Sequence, residues 1–76
     1  MAQAFHASAA INASTAKARL VELAEEIIAP LCSDPHASVR ITLEIAADFP
    51  YGAREDIRRA VSENARSLHL HNAEWE

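Results

Sequence analysis

Residues 37–46, with the sequence ASVRITLEIA, decide the predicted fold class because polar and apolar side chains alternate along them. Val39, Ile41, Leu43 and Ile45 occupy every second position, so a β-strand would place all four on one face. Charged and hydroxyl-bearing side chains fill the positions between them. The stretch therefore predicts a strand with one buried face and one solvated face.

Upstream of this strand, apolar residues recur at spacings of three and four, which is typical of an amphipathic helix. They are Leu20, Leu23, Ala24, Ile27, Ile28 and Leu31. Asn12, Ser14 and Thr15 are residue types that cap a helix N-terminus by accepting hydrogen bonds from its free amides. We expect Pro30 to end this helix or to kink its last turn, because it lacks an amide proton.

Downstream of the strand, a second helix is predicted from about Ala53 to Leu68. Its apolar stripe consists of Ile57, Val61, Ala65 and Leu68. Residues 68–75 (LHLHNAEW) alternate less regularly and predict a shorter second strand. Together the elements predict an α/β (α+β) two-layer α-β-α-β module, in which a small sheet carries two helices packed on one face.

The alanine-rich residues 1–13 are expected to form a poorly ordered arm, followed by a single domain at residues 14–76. Within that domain, sheet-to-helix packing is predicted to depend on Ile41, Leu43, Ile45 and Ile57. Asn64 falls near the apolar stripe of the second helix, where asparagine is unfavourable unless its side chain finds a partner. We therefore assign Asn64 a structural role, bonding the backbone of a strand edge or a neighbouring loop.

Composition excludes several classes of function. The chain of 76 residues has 11 acidic and 7 basic side chains, a net charge of −4 that argues against a general binder of phosphate backbones. Its one glycine, Gly52, does not suffice for a phosphate or dinucleotide loop, and its one cysteine, Cys32, excludes an internal disulfide framework. No apolar run approaches the ~20 residues needed to span a bilayer, and no secretory signal is recognisable. These features predict a cytoplasmic, non-enzymatic module without a cofactor or a membrane partner.

Two weaker chemical features remain. Four arginines of the second helix form the only basic patch, namely Arg54, Arg58, Arg59 and Arg66. Such a strip could contact nucleic-acid phosphates, although the interspersed acids Glu55, Asp56 and Glu63 dilute its field. His69 and His71 would share a face of the second predicted strand, a spacing that two metal ligands can have. A third ligand would have to come from His36, Glu44 or Glu74, and no HExxH helix or cysteine pair supports such a site. Solvated histidines and a solvated arginine face are the simpler interpretations.

The second half of the chain resembles the C-terminal segment of large bacterial and archaeal ATPases catalogued as domain of unknown function 499. The similar features are the alternating VRITLEIAADFP stretch, the glycine after it, the RRAVSENARSL helix and the ending EWE. The similarity covers residues 36–76 and is most specific at SENARSLHL. Arg59, Asn64 and Trp75 match this pattern, but no functional role accompanies them.

This resemblance implies that the chain is a C-terminal accessory module, for docking or assembly, of a larger ATP-binding protein. Its expected partners are the remainder of that ATPase chain or a second copy of itself, paired through an open sheet edge. Direct contact with nucleic acid through the arginine helix is the alternative, and a metal site at His69 and His71 comes third.

Overall fold

The computed structural model describes residues 2–76. A continuous helical run begins with a 3-10 turn at Ala13–Thr15 and continues as helix α1, Ala16–Leu23. A π turn at Ala24–Ile28 then leads directly into helix α2, Ala29–Cys32. We call these consecutive elements the N-terminal helical run.

One further helix, α3, spans Glu55–Ser67, close to the bounds that the apolar stripe predicts. The chain divides into two units, Met1–Thr42 and Leu43–Glu76, so that the N-terminal helical run lies in the first and α3 in the second. Between the two helical regions the described residues form only turns and irregular backbone.

Asn12 caps the N-terminal helical run. Its Oδ1 accepts hydrogen bonds from the Ser14 amide at 3.0 Å and the Ser14 hydroxyl at 2.8 Å. Its carbonyl accepts the Thr15 amide at 3.1 Å. Amides of the first turn, which have no partner within a helix, are thereby satisfied, and the helix begins where the alanine-rich segment ends.

The π turn accommodates Pro30, through which the helix continues to Cys32. The Ala29 amide bonds the Ala24 carbonyl, five residues back instead of four. Widening the helix by one residue is a known response to a proline, whose ring would otherwise press on the preceding turn. The extra residue also changes which side chains share a face, since half-buried Leu23 and Ile28 are spaced by five.

The prediction of a strand at residues 37–46 is wrong, because this segment forms no strand in the structure. Alternation specifies which side chains would share a face, but a strand also needs a neighbour for its backbone amides and carbonyls. No second strand exists among residues 2–76 to supply one. Ile41, Leu43 and Ile45, which were predicted to pack against a helix, are consequently exposed, by 63 %, 61 % and 77 %.

The second predicted strand, at residues 68–75, is wrong as well. His69 and Asn72 have positive φ angles of 59° and 55°, in the left-handed region that a strand does not use. With no strand in residues 2–76 there is no sheet, so the two-layer α/β module is replaced by an all-helical chain. The open sheet edge on which a homodimer was predicted is absent from the same residues.

Candidate interaction site

A left-handed cap ends α3 and turns the chain back. The His69 amide donates to the Arg66 carbonyl at 3.1 Å, and the Leu70 amide donates to the Ala65 carbonyl at 2.9 Å. These two bonds, with His69 in the left-handed conformation, constitute a Schellman motif. A second left-handed residue, Asn72, redirects the chain again before Trp75. The result is a C-terminal segment, residues 69–76, which we call the C-terminal clip.

Trp75 fastens the C-terminal clip to α3. Its Nε1 donates a hydrogen bond to Ser62 Oγ at 3.0 Å, and the Arg58 guanidinium carbon lies 5.7 Å from the centroid of its ring. The ring of Phe49, which precedes α3, lies 6.1 Å from the Trp75 ring at an interplanar angle of 42°. Ala65, one turn beyond Ser62, is 8 % exposed. The segment that precedes α3 and the clip that follows it therefore meet on one face of the helix.

Sequence reasoning did not assign this role to Trp75. Its partner Ser62 lies 13 positions away, and the contact depends on two left-handed residues that are not glycines. The signal that could have suggested it is the amphipathic character of tryptophan, which is seldom left without a partner when it is partly buried. Trp75 is the chain's only tryptophan.

The arginine strip is partly engaged within its own unit. Arg54 Nε lies 3.4 Å from Asp56 Oδ1, and the Arg58 guanidinium lies 3.8 Å from Glu55 Oε2. These pairs are exposed, so each contributes little stability, but each reduces the local positive potential. Because Arg58 also stacks on Trp75, the strip does not form a uniform basic surface for phosphates.

The remaining predicted residues are not drawn into a chemical site. His69 occupies the helix cap instead of a strand face shared with His71, and residues 2–76 contain no group of three or more potential ligands that could hold a metal ion. Asn64 is exposed, and its carbonyl accepts the Leu68 amide at 2.9 Å. Ile57 is half-buried on α3. The structural roles assigned to Asn64 and Ile57 stay predictions.

Many of the large apolar side chains are exposed instead. In the first unit, the exposed large apolar residues include Leu20, Val21, Ile27 and Ile41. In the second unit, they include Leu43, Ile45, Val61, Leu68 and Leu70. Among residues 2–76 only Ala65 is buried, so no large side chain forms a core. Ile57, Val61 and Leu68 form an open apolar face of α3, beside the face that the C-terminal clip covers.

The exposed area quantifies this surplus. The chain of 8.3 kDa exposes 7671 Å², whereas a folded monomer of that mass exposes about 4,600 Å². Even two separate folded units of half that mass would together expose only about 5,500 Å². The excess of about 2,200 Å² is larger than the ~800 Å² that one partner contributes to a standard interface. The chain as a whole therefore exposes more area than two independent folded units would.

Comparison with known proteins adds no relative. The chain matches no family profile, no curated protein and no solved structure. None of the helices in the described residues has the length and apolar character needed to cross a membrane.

Proposed function

We propose that this chain is a non-catalytic docking or assembly module of a larger ATP-binding protein. The observation that carries the proposal is the excess of exposed area, about 2,200 Å² over two independent folded units. This exposed area includes many large apolar side chains, whose exposure is unfavourable in water and is typical of interfaces. A partner that covers it supplies the hydrophobic burial that the chain does not achieve alone.

The size of the units supports the same conclusion. Domains below about 40 residues usually need disulfides, metals or oligomerisation, and the unit Leu43–Glu76 falls below that length. Its stabilising features are the cap of α3 and the Trp75 contacts, none of which buries a large side chain fully. The open face of α3 (Ile57, Val61 and Leu68) is the surface on which we place the docking contact.

The ATP-binding host rests on the resemblance of residues 36–76 to the C-terminal segment of the ATPase family. The most specific stretch of that resemblance, SENARSLHL, spans residues 62–70. It contains the Ser62 hydroxyl that holds Trp75 and the residues that cap α3. This stretch therefore shapes the end of α3 and the clip, next to the face on which we place the docking contact.

Hydrogen exchange tests the docking role. The amides of α3 are measured in the isolated chain and in the full-length gene product that contains it. We expect strong protection in the full-length product and weak protection in the isolated chain, because burial of the open face shields the helix. Equal exchange in the two samples would contradict docking through α3.

A matched pair of variants locates the contact. Val61, 50 % exposed, lies on the open face, whereas Glu63 lies on the opposite side of α3. We expect Val61→Ser to accelerate exchange of α3 about tenfold in the full-length product, from the loss of apolar burial. Glu63→Ser introduces the same residue and should leave protection there nearly unchanged.

A further inference from the structure

The N-terminal helical run carries its charges in the reverse of the order that a single helix favours. Lys17 and Arg19 lie near its N-terminal end, and Glu25 and Glu26 lie in its C-terminal half. The first turn of α1 has no acidic residue, and the last turns of α1 and α2 have no basic residue. Helix dipoles favour acids at the N-terminus and bases at the C-terminus, so this arrangement does not stabilise the run by itself.

Side-chain size along the run is also asymmetric. The N-terminal half is rich in small residues, including Ala13, Ala16 and Ala18, whereas Ile27, Ile28 and Leu31 are in the C-terminal half. The exposed apolar residues of the run, Leu20 and Ile27 among them, extend over both halves. A partner that complements this face must be large where the run is small, and acidic where it is basic.

A second copy of the same run, placed antiparallel, meets both requirements. A two-fold axis near Glu22 sets Ala16 of one copy beside Ile27 of the other, and Arg19 beside Glu26, because the two members of each pair lie on the same side of the helix. It also opposes the two helix dipoles, which a parallel pair would align. A parallel pair would place each charge against its own equivalent and the large residues against each other.

We therefore propose that the N-terminal helical run self-associates as an antiparallel two-fold dimer through its apolar face. This inference rests on the assembly role proposed above but concerns a different unit from α3. The partner is a second copy because the charge order and the size gradient of the run are complementary to themselves when reversed. Self-association thus acts through helices rather than through a sheet edge.

Sedimentation equilibrium of the wild-type chain tests the dimer directly. We expect the average mass to rise from that of the 8.3 kDa chain toward twice that mass between tens and hundreds of micromolar. A monomer throughout this range would overturn the proposal. If α3 were still protected in the full-length product, the docking role would stand while the dimer fell.

Native Cys32 reports the orientation of the two helices. It is exposed at the end of α2, and Ala13 begins the run about 28 Å away along the same helix, too far for an intrachain disulfide. In a glutathione buffer, Ala13→Cys should give a link between position 13 of one chain and Cys32 of the other. Trypsin cleavage after Lys17 and Arg19 separates the two peptides for mass spectrometry. A predominant link between two Cys32 residues would show a parallel pair and overturn the antiparallel arrangement.

Charge reversal tests the ionic contacts of the dimer. Arg19→Glu should weaken the dimer about tenfold, because it places two acids on the same side of the antiparallel pair. Combining it with Glu26→Arg should restore the dimer. Arg66→Glu makes the same change in net charge on α3 and should leave the dimerisation constant unchanged. A dimer that is insensitive to Arg19→Glu would refute the role of charge.

Discussion

Replacing Ser62 with alanine should loosen the C-terminal clip while strengthening α3. Three contacts hold Trp75: the hydrogen bond to Ser62 Oγ at 3.0 Å, the Phe49 ring and the Arg58 guanidinium. They contribute about 1, 1 and 0.5–1 kcal/mol respectively. The conformational entropy lost when the clip is ordered opposes these contacts, so removing one of them should shift the equilibrium between the docked and the released clip.

Loss of the hydrogen bond between Trp75 and Ser62 should lower the ratio of docked to released clip about fivefold. Alanine has a higher helix propensity than serine by about 0.5 kcal/mol, so the far-ultraviolet circular dichroism of α3 should increase. Trp75 is the only tryptophan and is 36 % exposed, so its fluorescence reports release of the clip. On release, its emission should shift to the red and acrylamide should quench it more easily.

The matched control is Ser67→Ala. Ser67 lies in the last turn of the same helix, and its hydroxyl donates to the Asn64 carbonyl at 3.3 Å. This variant makes the same chemical change on α3, so helicity should rise while Trp75 fluorescence stays as in the wild type. The reasoning is refuted if Ser62→Ala leaves acrylamide quenching unchanged, or if both variants alter it equally.

Three further predictions concern the cap, the π turn and ATP. His69→Gly should slow hydrogen exchange of the last amides of α3 by about two- to fivefold, since glycine adopts the left-handed conformation without steric cost. Asn72→Gly should slow exchange less, because asparagine already tolerates that conformation. Pro30→Ala should return Ala29 from an i−5 bond with Ala24 to an i−4 bond, visible as ordinary helical nuclear Overhauser contacts; a persistent π pattern would contradict the role of the proline. Calorimetry should detect no ATP binding to the isolated chain, because one glycine cannot form a phosphate loop; saturable micromolar binding would refute this.

Helical periodicity predicted the helices well because it depends on local geometry. The stripe of Ile57, Val61, Ala65 and Leu68 located α3 within two residues at its start and one at its end. The alternation at residues 37–46 was equally regular, yet it failed because a strand is completed by a partner that this chain does not provide. Periodicity describes the faces of an element and carries no information about whether its backbone will be paired.

The candidate site was less accessible to sequence reasoning. The Arg54, Arg58, Arg59 and Arg66 strip was evident from composition, but the stacking of Arg58 on Trp75 depends on a chain reversal. That reversal uses left-handed His69 and Asn72, and only the asparagine is a residue type that suggests such a conformation. The sequence predicted that Pro30 ends or kinks the helix, but it did not predict a π turn. Its effect on which residues share a face required the structure.

Because no large apolar side chain among residues 2–76 is fully buried, the stability and the abundance of this protein should depend on whatever covers those side chains. On the docking role proposed above, the concentration and affinity of the partner add to the free energy of folding by mass action. Substitutions at Val61 or Leu68 should therefore change how much partner is needed to keep the module folded in a cell. They should change the melting temperature of the isolated chain less. Copies synthesised in excess of their partner should be cleared by proteases, so that partner supply fixes the steady-state level of the module.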